Sequence, residues 1–246
     1  MEAYTSFAQV YDLFMDNVPY SKWIEYIKAC LHQNGIKEGT ILDLGCGTGK
    51  IADALANQGF DTIGVDYSMD MLEIARNSTN ENILYLMQDM RELELCGKVN
   101  AVCCACNSLN YILEKDELFQ VFKKVNQYLE KDGVFIFDIN TEYKYEKVMA
   151  DNTFAENQEE SSFIWDNYYD LDEKINEYYL TLFIKGEDGR FDKFEEEHFQ
   201  KAYSISEIEE MLKEAGFEIV KLSEEYSDKP VQEDSEIVTF TVRKAN

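Results

Sequence analysis

Nine residues constrain this 246-residue chain more than any others: Ile41-Leu42-Asp43-Leu44-Gly45-Cys46-Gly47-Thr48-Gly49. Ile41, Leu42 and Leu44 suit a strand covered on both faces, as the central strand of a parallel α/β sheet is. The glycines then permit positive φ and let a ligand approach bare peptide. A helix opening near residue 50 would point unpaired N–H groups at whatever occupies that turn.

Spacing narrows the ligand. A dinucleotide fingerprint reads G-x-G-x-x-G and a phosphate loop reads G-x-x-x-x-G-K-[ST], whereas this turn reads G-x-G-x-G and is preceded by Asp43. A carboxylate there repels a pyrophosphate and attracts an ammonium or sulfonium cation, and S-adenosylmethionine carries both. The run D-x-G-x-G-x-G over 43–49 resembles motif I of the class I S-adenosylmethionine-dependent methyltransferases. The resemblance implies an α/β, Rossmann-like seven-stranded sheet, mostly parallel with its last strand antiparallel, and helices on both faces. It also implies a cofactor bed containing Asp43, Gly45, Cys46, Gly47 and Gly49. The plain alternative is a tight strand-to-helix turn.

The following segments keep register with that pattern. A strand over 60–66 ends in Asp66, 21 residues after Gly45, where a carboxylate can take both ribose hydroxyls. A helix-capping role for Asp66 is the weaker reading, because Ser68 already suits the N-cap of a helix over 70–77. Tyr67 and Met71 would pack on the adenine or sulfonium side. After a strand over 83–87, the resemblance assigns the adenine edge to Gln88, Asp89 and Met90. The strand over 99–105 ends at Cys106, a further cofactor contact, and leads to Tyr111, a catalytic candidate at the edge where the acceptor would meet the methyl donor. There is no N/D-P-P-Y, so DNA adenine and protein glutamine acceptors lose weight. Relatives that methylate amino sugars can carry a histidine near the place of Tyr111. A helix over 116–129 and a strand over 133–139 follow.

Ahead of motif I, residues 3–33 read as two helices divided near Pro19, the first with Tyr4, Phe7, Tyr11 and Phe14 on one stripe and the second capped by Ser21. The string Y-x-x-F-A-x-x-Y-D over 4–12 resembles methyltransferases whose N-terminal segment closes over the cofactor. That implies a cofactor contact for Tyr4, a catalytic one for Tyr11 and a helical lid over 1–35; core packing is the alternative.

The order then breaks. Residues 141–202 hold 13 of the 33 aromatics, too many for a disordered linker. Strands over 163–165, 177–184 and 191–199, with a hairpin signal at 187–190, resemble the β-rich cap inserted after the fifth strand of some small-molecule methyltransferases. The domains expected are therefore a methyltransferase domain over 1–140 and 203–246, and an antiparallel cap over 141–202 covering the substrate site. His198, on a cap strand, is either a buried structural histidine or a catalytic base. Ser204 with Glu207 forms a capping box for a helix over 204–215, and strands over 217–226 and 236–242 close the chain.

Composition bounds the partners. A net charge of −26, from 49 acidic and 23 basic residues, argues against a nucleic-acid backbone and against anionic membranes. No stretch of about 18 apolar residues is present and the N-terminus lacks a basic-then-apolar signal, so a cytoplasmic protein is expected. The six cysteines have only His32 and His198 to complete a metal set, so buried reduced thiols and no metal are expected. The reading is an S-adenosylmethionine-dependent methyltransferase acting on a nitrogen, or an oxygen, of a small-molecule acceptor. Nitrogen is favoured because no strong base is visible. A cofactor sensor or partner-binding module on the same fold is the alternative, and the turn's spacing with Asp43 disfavours a dehydrogenase.

Overall fold

The computed structural model describes residues 8–15, 18–78 and 80–245; Tyr4 and Phe7 lie outside the described residues. Two short helices, α1 (Ala8–Phe14) and α2 (Tyr20–Gln33), precede an alternating series: β1 (Thr40–Leu44), α3 (Lys50–Ala56), β2 (Asp61–Asp66), α4 (Met69–Ala75), β3 (Ile83–Met87), β4 (Val99–Cys104), α5 (Lys115–Tyr128) and β5 (Leu129–Asn140). After the inserted region come α6 (Ile205–Glu214), β10 (Phe217–Glu224) and β11 (Ile237–Lys244). The seven strands order as β10-β11-β5-β4-β1-β2-β3, with β11 antiparallel to both neighbours and β1 through β5 parallel.

Strand periodicity of two explains how one sheet feeds two cores. Leu42, Leu44, Val102, Cys104, Phe135 and Phe137 point to the face covered by α5 and α6, where they meet Phe122, Val125, Ile208 and Leu212. Their neighbours Ile41, Ala101, Cys103, Val134 and Ile136 point to the opposite face, against Ile27 and Leu31 of α2 and Ile51 and Leu55 of α3. Both faces being covered is why β1, β4 and β5 read as nearly continuous apolar runs. All six cysteines are free thiols, four of them buried. Ser68 caps α4 by accepting from Met71 N at 3.2 Å, and Ser204 with Glu207 forms the reciprocal box at α6. Ser21, expected as a cap, lies inside α2, whose N-cap is Pro19.

The insertion is a second sheet of four antiparallel strands: β6 (Thr153–Asn157), β7 (Ser161–Asp170), β8 (Ile175–Lys185) and β9 (Phe191–Lys201), in that order. The sequence pattern located three of these strands, shorter than they are. It did not show β6, an edge strand of mixed polarity, nor the helical turn Lys144–Met149 that enters the sheet. Several contacts seat this sheet. Phe14 of α1 packs edge-on against Phe163 at 4.7 Å between centroids, in a cluster with Leu180 and Leu182. At the root, the fully buried Asn110 donates to the Lys201 carbonyl at 2.8 Å and accepts from Asn140 N at 3.0 Å. Tyr145, also fully buried, donates to Gln200 at 2.8 Å. These bonds fix the end of β9 beside the loop that follows β4.

Candidate active site

The carboxyl ends of β1, β2 and β4, together with the loop after β3, surround a cavity of about 370 Å³, within the range of small-ligand sites. Its wall contains Asp43, Gly45, Cys46, Gly47, Asp66, Tyr67, Met71, Gln88, Asp89, Met90 and Cys106, with Tyr11 and Tyr111 on the same wall. Thirteen of the expected site residues thus converge on one space. Gly49 does not: a side chain there would strike the Tyr85 hydroxyl at 2.4 Å and Ala75 at 3.1 Å, so this glycine serves close packing beneath the turn. His198 is also away from the wall, on β9 of the inserted sheet and buried at 2% exposure. Tyr4 is outside the described residues.

The turn after β1 shows what kind of group the cavity suits. Gly47 has φ +53° with open space where a side chain would stand, so the backbone is presented bare. Gly45 has φ +74° and is crowded by Ser108 at 2.8 Å. Asp66 holds the turn in place, accepting from Gly47 N and from Ser68 N, each at 2.8 Å. Its two oxygens retain lone pairs for further donors. Burial raises its pKa, against the pull of those backbone donors.

Asp43 is the most telling residue. It is 1% exposed, and burial lifts its carboxyl to about 7, the backbone bond from Ala52 opposing and Asp66 reinforcing the rise. Its Oδ2 has no protein partner. A buried carboxylate oxygen without a donor is costly, and a cation in the adjoining cavity would relieve it. Asp89 stands otherwise: burial would raise its pKa, but Arg91, whose Nε lies 3.0 Å from both oxygens, holds it below the usual carboxylate range.

The loop after β4 carries backbone strain at the same cavity. Cys106 and Asn107 have φ of 59° and 58°, a conformation non-glycine residues seldom adopt. They are held there by Asp138, fully buried on β5, which accepts from Asn107 N at 3.2 Å and from Tyr226 Oη at 3.0 Å. Burial raises the Asp138 carboxyl to about 7. Tyr20 meets the Cys106 sulfur at 3.5 Å, and Tyr11 bonds to the same pair. Tyr20, Ser108 and Arg91 on this wall were not singled out in the sequence; Tyr20, just after Pro19, was the legible one, since it continues the aromatic stripe of the N-terminal helices.

A model of the methyltransferase domain family matches residues 41–133, which span the glycine turn and strands β1 to β4. The chain is 36% identical over 245 residues to the Bacillus subtilis (strain 168) protein named "Putative methyltransferase YqeM", covering 98% of this chain and 97% of that one. It superimposes with a TM-score of 0.89 on a solved S-adenosylmethionine-dependent methyltransferase from Clostridium acetobutylicum ATCC 824, at 32% identity and over 100% of both chains. The chain belongs to the class I S-adenosylmethionine-dependent methyltransferases. Over 134 residues, about half of each chain, the methyltransferase is also 29% identical to the dTDP-3-amino-3,6-dideoxy-α-D-glucopyranose N,N-dimethyltransferase of Streptomyces fradiae. Its cofactor is S-adenosylmethionine. The geometry fits it: a buried carboxylate with one unpartnered oxygen for a cation, a bare glycine turn, and a second carboxylate at the tip of β2. Among the described residues no helix is long and apolar enough to cross a membrane, and no cluster of His, Cys, Asp and Glu could hold a metal ion.

Proposed function

We propose that this methyltransferase methylates an amine nitrogen of a small polar acceptor, of the amino-sugar class, held between the cavity and the inserted sheet. When bound, S-adenosylmethionine supplies an electrophilic methyl carbon on a sulfonium. Asp43 would face the ammonium of its amino-acid end, beside the bare peptide of Gly47. Asp66 would accept from the ribose hydroxyls, and Gln88, Asp89 and Met90 would border the adenine. Cys106, with Tyr11 and Tyr20 above it, would close the cavity near the methyl group. Residues 141–202 act as a cap: they exclude water and align the acceptor, and alignment in a dry pocket is where much of the rate of such a displacement arises.

The observation that carries the acceptor class is the polar wall of the cavity beside the cap. The buried face of β9 presents Glu196, His198 and Gln200, at 3%, 2% and 5% exposure, beside the Tyr111 phenol on the cavity wall. These buried groups stand behind Tyr111, which with Tyr11, Tyr20 and Ser108 gives the wall near the cap several hydroxyls; such a wall suits an acceptor with several polar groups, not a flat apolar ring. The relationship to an amino-sugar dimethyltransferase over half the chain points to nitrogen. The test is turnover of labelled S-adenosylmethionine against paired acceptors. Free and dTDP-linked 3-amino sugars should be methylated and their hydroxyl counterparts should not. Methylation confined to phenolic acceptors would overturn the assignment.

A further inference from the structure

The cap strand β9 breaks the usual rule that the inward positions of a two-faced sheet are apolar. Along 194–200, the outward positions are Glu195, Glu197 and Phe199, while the inward ones are Phe194, Glu196, His198 and Gln200. The side chains of Glu196 and His198 are each 1% exposed, and His198 Nε2 lies 3.3 Å from Glu196 Oε2. A carboxylate buried that deeply is expensive unless paired. On its other side, His198 Nδ1 is 3.2 Å from the Tyr111 hydroxyl. Tyr178, paired with His198 in the β8–β9 register, stacks on the imidazole at 4.9 Å and 14° and also hydrogen-bonds Tyr111. Tyr111 itself belongs to the cavity wall. A continuous polar line therefore runs from the reaction space into the buried interior of the cap, across 87 residues of sequence.

We infer that Tyr111, His198 and Glu196 form a proton relay that takes the acceptor's proton during methyl transfer, with Tyr111 the catalytic residue and His198 and Glu196 acting through it. The inference rests on the acceptor class proposed above. As the neutral amine forms its bond to the methyl carbon, the carbon–sulfur bond breaks with its electron pair on sulfur. One N–H proton passes to Oη of Tyr111, and the phenolic proton passes to Nδ1 of His198. The imidazolium so formed carries the positive charge that the sulfonium has lost, and it faces Glu196. The resting arrangement that permits this has Tyr178 O–H donating to Tyr111 Oη, Tyr111 O–H donating to Nδ1, and the ring proton on Nε2, which faces Glu196 Oε2 at 3.3 Å without a formed hydrogen bond and pairs with it once the imidazolium forms. Burial pushes the Tyr178 phenol up, which keeps it protonated as a donor. The arrangement also supplies the base that the sequence lacked at position 111: the imidazole comes from β9 instead.

The chain has two histidines, and His32 is exposed on α2. In a His32→Gln background, nitrogen-15 spectra of the full chain report His198 alone, with S-adenosylhomocysteine bound and no acceptor needed. The relay predicts the neutral Nε2–H tautomer, and Tyr111→Phe should move the Nδ1 resonance downfield while Nε2 stays. A proton found on Nδ1 would overturn it, since His198 would then donate to Tyr111 and could not take its proton. A second readout uses dTDP-3-amino-3,6-dideoxy-α-D-glucose as acceptor. His198→Gln should lower kcat by at least about tenfold with KM and S-adenosylmethionine affinity within about threefold, and Glu196→Gln should fall between it and the parent. An unchanged kcat in His198→Gln would equally sink the relay. Failure of the parent to methylate that sugar would count against the acceptor class, while the tautomer still decides the relay.

Discussion

The two sides of the cavity are built by different rules. On the sheet side, Asp43 and Asp66 sit at the carboxyl ends of β1 and β2, and Gly47 and Asp89 on the loops after β1 and β3, within 47 residues of chain. Backbone geometry does most of the work there: a positive φ at Gly47 and two backbone N–H groups on Asp66. On the cap side, Tyr111, Tyr178, His198 and Glu196 come from a loop and two strands, and they meet only because β9 is anchored by Asn110, Tyr145 and Gln200. The contrast teaches that the residues proposed for the cofactor fall within a short string, whereas those proposed for the acceptor are brought together by long-range side-chain contacts.

If the division is real, substitutions on the two sides should separate cofactor affinity from turnover. The largest effect belongs to Gly47→Val. A β-branched residue at φ +53° is strained and fills the space where the ligand meets backbone. Calorimetry should show S-adenosylmethionine affinity down by at least about 100-fold, a loss near 3 kcal/mol, with the fold retained by circular dichroism. Binding within twofold would make the turn a mere connector.

Next in size is Gln200→Leu at the root of the cap. It removes the acceptor for the fully buried Tyr145 hydroxyl, leaving a buried donor unpaired at a cost of about 1–3 kcal/mol. The melting temperature should fall and amine turnover should drop severalfold as β9 loosens, while cofactor affinity stays within twofold. A matching loss of cofactor affinity would mean that the two sides are not separable.

The smallest effect is in pH. Burial raises the carboxyls of Asp43 and Asp138 to about 7, above their unfolded value near 4. Between those values the folded chain binds more protons than the unfolded one, so stability falls as pH rises from about 4 to about 7. Their contribution is fully present below pH 4 and lost above 7. Cofactor-free melting temperature, followed from pH 8 down to 5.5, should therefore rise by a few degrees, offset in part by other carboxylates. Asp43→Asn should flatten that slope. A slope that survives in Asp43→Asn would shift it to Asp138 alone.

The same contrast explains what was legible in the sequence. The strand–turn–helix at 41–49, Asp66 at the tip of β2, and the Ser68 and Ser204 caps depend on neighbours a few residues away, and the structure has them as read. Gly49 was legible as a glycine but not as a packing one, because Tyr85, which forbids a side chain there, lies on β3. The cap was visible as aromatic, strand-forming sequence, yet its fourth strand β6 depends on pairing with β7, and the inward direction of Glu196 and His198 on register with β8. The run Phe194-Glu195-Glu196-Glu197-His198-Phe199-Gln200 has no polar–apolar alternation, so nothing in it marked which face β9 buries. Tyr111 and His198 were noted separately, and no sequence spacing could join them.

The most direct test of the division sets one isosteric change on each side against the other. Titrating S-adenosylmethionine into Asp43→Asn and into His198→Gln should give a loss of about tenfold or more for the first, where a cation loses its buried partner, and a change within about threefold for the second. Cofactor affinity lost in His198→Gln and kept in Asp43→Asn would contradict the account.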